Sequence, residues 1–195
     1  IVEKFKGEAT AIATLSDNNI VNILDVGTQG DMNYIVMEYV DGVPLHGVVK
    51  KRGRIPSSEL FAVLPALLRD IGILHRAGVI HRDISPDNMM LENGKIRLLD
   101  FGIAREVGRR TETLTMTLRH GYAPVEQYQP MGQGTWTDVY GLSATIYYCV
   151  TGMTPPHALE RICEDKLQLP RQLGVELTNK QEQVLLYGMG VRPRR

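Results

Sequence analysis

Three oxygen-bearing side chains, Asp83, Asn88 and Asp100, stand in an order that suits phosphoryl transfer. A carboxylate such as Asp83 can orient an acceptor hydroxyl and take its proton. An amide oxygen and a second carboxylate are hard ligands of the kind Mg²⁺ prefers beside phosphate oxygens. The run His81-Arg82-Asp83-Ile84-Ser85-Pro86-Asp87-Asn88 supplies the first two groups, and Leu99-Asp100-Phe101-Gly102 supplies the third. Either block alone arises by chance. An ordinary polar turn before a hairpin explains the residue types but not the two blocks together at this spacing.

The elements between and around these blocks must hold three oxygens near one point. Asn93-Gly94 is the strongest short hairpin signal, so residues 89–92 and 95–99 are expected to pair antiparallel and to link Asn88 rigidly to Asp100. Upstream, Leu60, Val63, Leu64, Leu67, Leu68, Ile71 and Leu74 recur at helical spacing and read as a core stripe. That helix spans residues 56–77, with a serine of Ser57-Ser58 as cap, Gly78 as stop and a kink or late start at Pro65. A second helix opens near Trp136, spans residues 138–150 and is apolar nearly all round through Val139, Leu142, Ile146, Tyr147 and Val150, so it is expected to be buried. Phe5, Ala9, Ile12 and Leu15 form a shorter stripe with Glu8 at its edge. Residues 20–26 and 33–39 read as a strand pair turning at Gly27-Thr28-Gln29-Gly30-Asp31, and Gly42 and Pro44 break the chain after it. Two further helical patterns lie around residues 158–167 and 180–188. Residues 102–122 are polar and threonine-rich with no hydrophobic period.

Composition narrows the class. The 195 residues suit one domain with a sizeable core, and 22 basic against 22 acidic residues leave no net charge, so no nucleic-acid footprint is indicated. Two cysteines make no disulfide framework, and Cys149, in an apolar run, reads as a small buried hydrophobe. No apolar run reaches the length of a membrane span, and Ile1-Val2-Glu3-Lys4 is not a signal peptide. The expected setting is cytoplasmic, with an anchor outside this segment left open.

From about Phe5 onward the chain resembles the Hanks-type (eukaryotic-like) serine/threonine protein kinases in their bacterial form. The resemblance rests on His81-Arg82-Asp83, Asn88, Asp100-Phe101-Gly102 and Ala123-Pro124-Val125-Glu126. It implies an α+β, protein-kinase-like fold: a partial small lobe in residues 1–40, holding the family's αC helix and the strands after it, and a mostly helical large lobe in residues 41–195. It implies transfer of the ATP γ-phosphate to Ser or Thr hydroxyls of a protein substrate, with Mg²⁺, and a dimer for autophosphorylation in trans. Asp83 would act on the hydroxyl, Asn88 and Asp100 would hold the metals, and His81 would join the internal spine with Phe101, Ile12 and Ile23. Glu8 would clamp the ATP-binding lysine, although taken alone it reads more often as a solvated helix residue. Met37 at the gatekeeper position, the backbone of Glu38 to Val40, and Met90 would receive the adenine, where the plain reading is a strand ending at a Gly/Pro turn. Thr111, Thr113, Thr115 and Thr117 would be phosphate acceptors in an activation segment, docking on Arg82. Arg82 packed on backbone carbonyls and an unmodified loop are the plain alternatives. Glu126 would salt-bridge a late arginine, due at Arg195 or just beyond. Asp138 would anchor the catalytic loop, or serve simply as a carboxylate at a helix N-terminus.

The sequence departs from the family in four places. No G-x-G-x-x-G occurs, and Lys4 and Lys6 lie too close to Glu8 to serve as its partner, so the chain reads as a catalytic domain truncated at its N-terminus. Ser85 stands where these kinases place a lysine that contacts the transferred phosphate. The Ala-Pro-Glu motif carries an inserted Val125. Arg119 occupies the place of a threonine, and with Arg109 and Arg110 it should make the segment self-repelling. These departures keep a pseudokinase or regulatory binding module in view as the second reading. A small-molecule phosphotransferase of related fold is the third. Arg82, the Phe-Gly after Asp100 and the segment ending near Glu126 count against it.

Overall fold

The computed structural model describes residues 19–30, 32–99, 118–128 and 132–192, with residues 32 and 33 described by backbone alone. The expected first helix with Glu8 lies outside these residues, as do Asp100, Phe101, Gly102, the four threonines of the activation segment, and Arg195.

Two small antiparallel sheets precede and interleave with the helices. Ile23–Gln29 pairs with Met32–Met37, and Val43–Pro44, Met89–Glu92 and Lys95–Leu98 form a second sheet with Met89–Glu92 in the middle. The hairpin falls where Asn93-Gly94 predicts it. Asn93 and Gly94 both take positive φ, 49° and 75°, which matches the twist of the flanking strands. The first strand pair starts later than the sequence suggests. Residues 19–21 bond instead to the far end of the hairpin, with Val21 N–H donating to Leu98 O at 3.0 Å and Leu98 N–H to Asn19 O at 2.7 Å. The ladder then continues to Gln29 opposite Met32, so Gly27, Thr28 and Gln29 are strand rather than turn.

The helix Ser57–Arg76 is continuous across Pro65, which corrects the expectation of a late start. Neither serine caps it. Pro56 is the N-cap, and the Ser57 hydroxyl donates to Glu176 O at 2.6 Å. Leu60, Leu64, Leu67, Ile71 and Leu74 are buried as the stripe predicts, but Leu68 is 49 % exposed and lies outside the core.

The helix Thr135–Thr151 is the hub of the structure. Its residues Leu142, Tyr148, Cys149 and Val150 pack with Leu60, Leu64, Leu67, Ile84, Met89 and Leu98. Its other face, Tyr140, Ala144 and Tyr147, packs with Ala158, Leu185 and Met189. A helix with neighbours on both sides must be apolar all round. Val139, expected in that core, is the exception and is exposed. Burial pushes the Cys149 thiol up to about 12, so it behaves as the small hydrophobe expected.

Leu45–Arg52 is a helix that the sequence reading did not anticipate. Leu45, Val48 and Val49 are its buried stripe, Lys50, Lys51 and Arg52 fill its last turn, and Gly53 closes it at φ 81°. These signals were legible but short. Near the C-terminus, Ala158–Cys163 stops earlier than expected and Asn179–Gly188 matches. The first ends because Asp165 turns back to accept from Leu167 N–H, while Tyr147 O–H donates to Gln168 O. Among the described residues no helix is long and apolar enough to cross a membrane.

Candidate active site

The segment from His81 to Asn88 hangs between the two principal helices, and its shape is imposed by a buried carboxylate. Asp138, 2 % exposed in the first turn of Thr135–Thr151, accepts from His81 N–H at 2.8 Å and from Arg82 N–H at 2.7 Å. Its Oδ2 also lies 2.8 Å from His75 Nε2, on the last turn of the preceding helix. Arg82 has φ 67°, a left-handed conformation uncommon for a residue with a side chain and costly by about 1–3 kcal/mol. The peptide groups on both sides of that strained residue are tied down, because Gln127 Nε2 donates to Arg82 O at 2.6 Å. Gln127 was not singled out from the sequence. Only its burial in the 3₁₀ turn Val125–Tyr128 reveals its part.

His81 is 1 % exposed, with both ring nitrogens engaged. Nε2 faces Leu99 O at 2.9 Å, and Nδ1 accepts from Asp83 N–H at 3.3 Å. A carbonyl can only accept, so the proton is on Nε2. The ring has no lone pair left for a metal or for base chemistry. His81 therefore ties the loop to the strand end at Leu99.

Asp83 and Asn88 meet. Asn88 Nδ2 donates to Asp83 Oδ2 at 2.7 Å and to Asp83 O at 2.9 Å, and both residues are buried. With its amide nitrogen committed, Asn88 presents Oδ1, whose contact is a long 3.4 Å one to Arg119 Nη2. The backbone holds it there, with Asn88 N–H donating to Ser85 O and Asn88 O accepting from Leu99 N–H at 2.8 Å. The last bond carries the register of the hairpin directly to the residue before Asp100. An amide oxygen held in this way is a donor that suits Mg²⁺, which takes few protein ligands and completes its shell with phosphate and water oxygens.

Gly141 lets the central helix approach this loop. A Cβ there would stand 2.9 Å from Ile84 O. Arg119 closes the open side. Its Nη1 donates to Asp87 Oδ2 at 2.6 Å and its Nε lies 3.7 Å from Asp83 Oδ1. Arg119 is thus paired to carboxylates, while Arg109 and Arg110, the other cations of the segment expected to repel itself, lie outside the described residues.

The remaining predicted residues are placed as follows. Met37 ends its strand and is 37 % exposed, Val40 is buried, and Met90 sits in the middle strand opposite Arg97 and Pro44. Glu38 N–H donates to Asn22 O at 2.9 Å, so of its backbone only the carbonyl is left for a base. Arg97, hydrogen-bonded to the Glu38 side chain at 2.8 Å, holds that carboxyl below its ordinary value. Glu126 is buried and accepts from Thr137 Oγ1 at 2.9 Å, while its expected partner Arg195 lies outside the described residues. Glu8 and Asp100 lie outside them too, and among the described residues the structure brings together Asp83, Asn88, His81, Arg82 and Asp138.

Comparison with known proteins bears on the fold and the family. A serine/threonine kinase of Clostridium perfringens, named as probable, is 42 % identical over 159 residues, covering 80 % of this chain and 23 % of that protein. The serine/threonine-protein kinase PknL of Mycobacterium tuberculosis is 33 % identical over 155 residues, 78 % of this chain and 39 % of that one. The chain thus spans a quarter to two fifths of the length of these relatives. Among solved structures, the apo form of PpkA-294 superposes with a TM-score of 0.84 at 28 % identity, covering 97 % of this chain and 68 % of that one. The protein kinase domain model matches residues 2–184, nearly the whole chain, and the chain belongs to the protein kinase domain family.

Proposed function

We propose that this chain is the catalytic part of a serine/threonine protein kinase, moving the γ-phosphate of ATP to a hydroxyl of a protein substrate in the cytoplasm. The observation that carries the reading is the pairing of Asp83 with Asn88 at 2.7 Å, both buried, on a loop whose strained backbone is clamped from two sides. Such strain is stored where a side chain must be aimed. Asp83 orients the acceptor hydroxyl and takes its proton. The hydroxyl oxygen bonds to the γ-phosphorus as the bond to the β–γ bridging oxygen breaks, and the electron pair leaves with ADP. Mg²⁺, when bound, neutralises charge on the phosphate oxygens, and Asn88 Oδ1 and Asp100 are the side chains that would hold it. The Glu38 carbonyl, Val40, Met37 and Met90 form the adenine side, and Glu8 belongs to the phosphate clamp. We take residues 1–40 as part of the small lobe and 41–195 as the large lobe. Thr111, Thr113, Thr115 and Thr117 are the proposed sites of phosphorylation in the activation segment, and autophosphorylation in trans is the route.

Two substitutions in the full chain separate the roles. Asp100→Asn should abolish Mg²⁺-dependent transfer, because an amide cannot offset phosphate charge as a carboxylate–metal pair does. Asp83→Asn should cut turnover by about 10²–10⁴-fold, the usual worth of a positioned base, with nucleotide affinity nearly unchanged. Equal loss of ATP binding in both variants would refute this division.

A further inference from the structure

The loop that holds the proposed base carries two carboxylates and no cation beyond Arg82. From Asp83 to Asn88 it reads Asp-Ile-Ser-Pro-Asp-Asn, and Ser85, where a charged residue would be most useful, is fully buried. Its hydroxyl has no hydrogen-bond partner among the described residues. A phosphoryl group in transfer spreads negative charge over three oxygens and needs positive charge fixed beside it in a dry site. The only described guanidinium that touches Asp83, Asp87 and Asn88 together is that of Arg119, thirty-six positions beyond Asp83 in the sequence.

Resting on the phosphotransfer reading above, we propose that Arg119 is the cation that contacts the transferred phosphoryl group, and that Asp87 is the residue that positions it. The geometry is specific. Asp83 marks where the acceptor oxygen must lie and Asn88 Oδ1 marks the metal side, so the moving phosphorus passes between them. Arg119 already spans that gap, with Nε 3.7 Å from Asp83 Oδ1 and Nη2 3.4 Å from Asn88 Oδ1. Both contacts are long, so phosphate oxygens can replace them without breaking a strong bond. Its short bond, Nη1 to Asp87 Oδ2 at 2.6 Å, is on the far edge of the fork and can persist while the rest of the guanidinium turns to the phosphate. The backbone is set as well, since Arg119 O accepts from Tyr122 N–H and Ala123 N–H at 3.1 and 3.0 Å. In the transfer, the acceptor oxygen–phosphorus bond forms, the phosphorus–oxygen bond to ADP breaks, and the proton goes to Asp83. Arg119 gains and loses no atoms and supplies only charge and hydrogen bonds. The cation that Ser85 cannot supply thus comes from Arg119, beyond Asp100 in the sequence.

The test uses the full chain and reads binding as well as turnover. Affinities for Mg²⁺·AMP-PNP and Mg²⁺·ADP are measured by calorimetry for the parent, Arg119→Gln, Arg119→Lys and the double variant Ser85→Lys/Arg119→Thr. Arg119→Gln should lose at least tenfold in affinity for Mg²⁺·AMP-PNP and stay within twofold for Mg²⁺·ADP, which lacks the γ-phosphate, with kcat down by about 10²–10³-fold. Arg119→Lys, which keeps the charge and the fold, should fall between, and the double variant should recover at least tenfold in kcat over Arg119→Gln. If Arg119→Gln and Arg119→Lys bind both nucleotides as the parent does and turn over equally or faster, Arg119 is merely a plug on Asp83 and the proposal is overturned. A parent whose transfer is insensitive to Asp83→Asn would instead refute the phosphotransfer reading on which this one rests.

Discussion

Replacing Asp138 by asparagine tests the anchor of the loop from His81 to Asn88 with the smallest change of shape. The carboxylate is 2 % exposed and its two oxygens face three groups: His81 N–H and His75 Nε2 on Oδ2, and Arg82 N–H on Oδ1. An amide can accept on one side only. If its oxygen keeps Arg82, the new NH₂ points at His81 N–H, and a buried donor loses its acceptor. A hydrogen bond to a charged group is worth about 1.5–3 kcal/mol, and that is the expected loss of stability. For a chain of this size each kcal/mol lowers the melting temperature by roughly 2–4 °C, so a fall of about 3–12 °C is expected. The loop around the left-handed Arg82 then has one clamp fewer, the bond from His81 N–H, while Gln127 still holds the Arg82 carbonyl, and Asp83 should wander from its pairing with Asn88. Thermal unfolding gives the first number, and amide exchange at residues 81 and 82 shows where the loss is felt. An Asp138→Asn variant with unchanged melting and unchanged exchange at both amides would refute the argument that this carboxylate holds the loop.

Gly141→Ala should destabilise the chain by about 1–3 kcal/mol and reduce turnover, because its Cβ would press on the Ile84 carbonyl, a backbone atom that cannot swing away; chemical denaturation and a transfer assay check it. Asp165→Asn should lower stability at neutral pH, since Arg161 forks onto Asp165 at 2.9 and 3.0 Å and holds its carboxyl below the ordinary 3.8. A carboxyl depressed in the folded state stabilises fully above its unfolded value and loses that contribution as pH falls through its folded value. The gap between parent and variant should therefore be complete at pH 7 and should close only below 3.8, as denaturation series at neutral and acid pH would show.

Much of the architecture was legible because it depends on local pattern. The buried helix Thr135–Thr151 followed from an apolar run with no polar face, and the hairpin followed from Asn93-Gly94, whose backbone preferences are intrinsic. Errors fell where long-range contacts compete with local ones. Ser57 looked like a cap, yet a carbonyl more than a hundred residues away takes its hydroxyl. Residues 20–22 looked like strand, yet the edge of the hairpin claims the backbone of Val21. Leu68 and Val139 matched the helical periods of their cores, but periodicity cannot tell which edge of a broad stripe the neighbouring elements leave uncovered.

The active residues divide in the same way. Asp83, Asn88 and Asp100 are candidates from type and spacing because phosphoryl transfer would need particular atoms in a particular chain order, and Asp138 is a candidate by resemblance. The sequence by itself determined the fold family and carried the chemistry proposed for it. Only the tertiary structure decided which groups complete the site. Gln127 and Arg119 are separated from the loop they touch by dozens of residues; nothing marks Gln127 in the sequence, and Arg119 stands out only as a departure from the resembled pattern, with no sign of which carboxylates it meets. Their roles come from a helix that can approach Ile84 at Gly141 and a turn that brings residue 119 back over Asp87, and contacts of that kind exist only once the chain has packed.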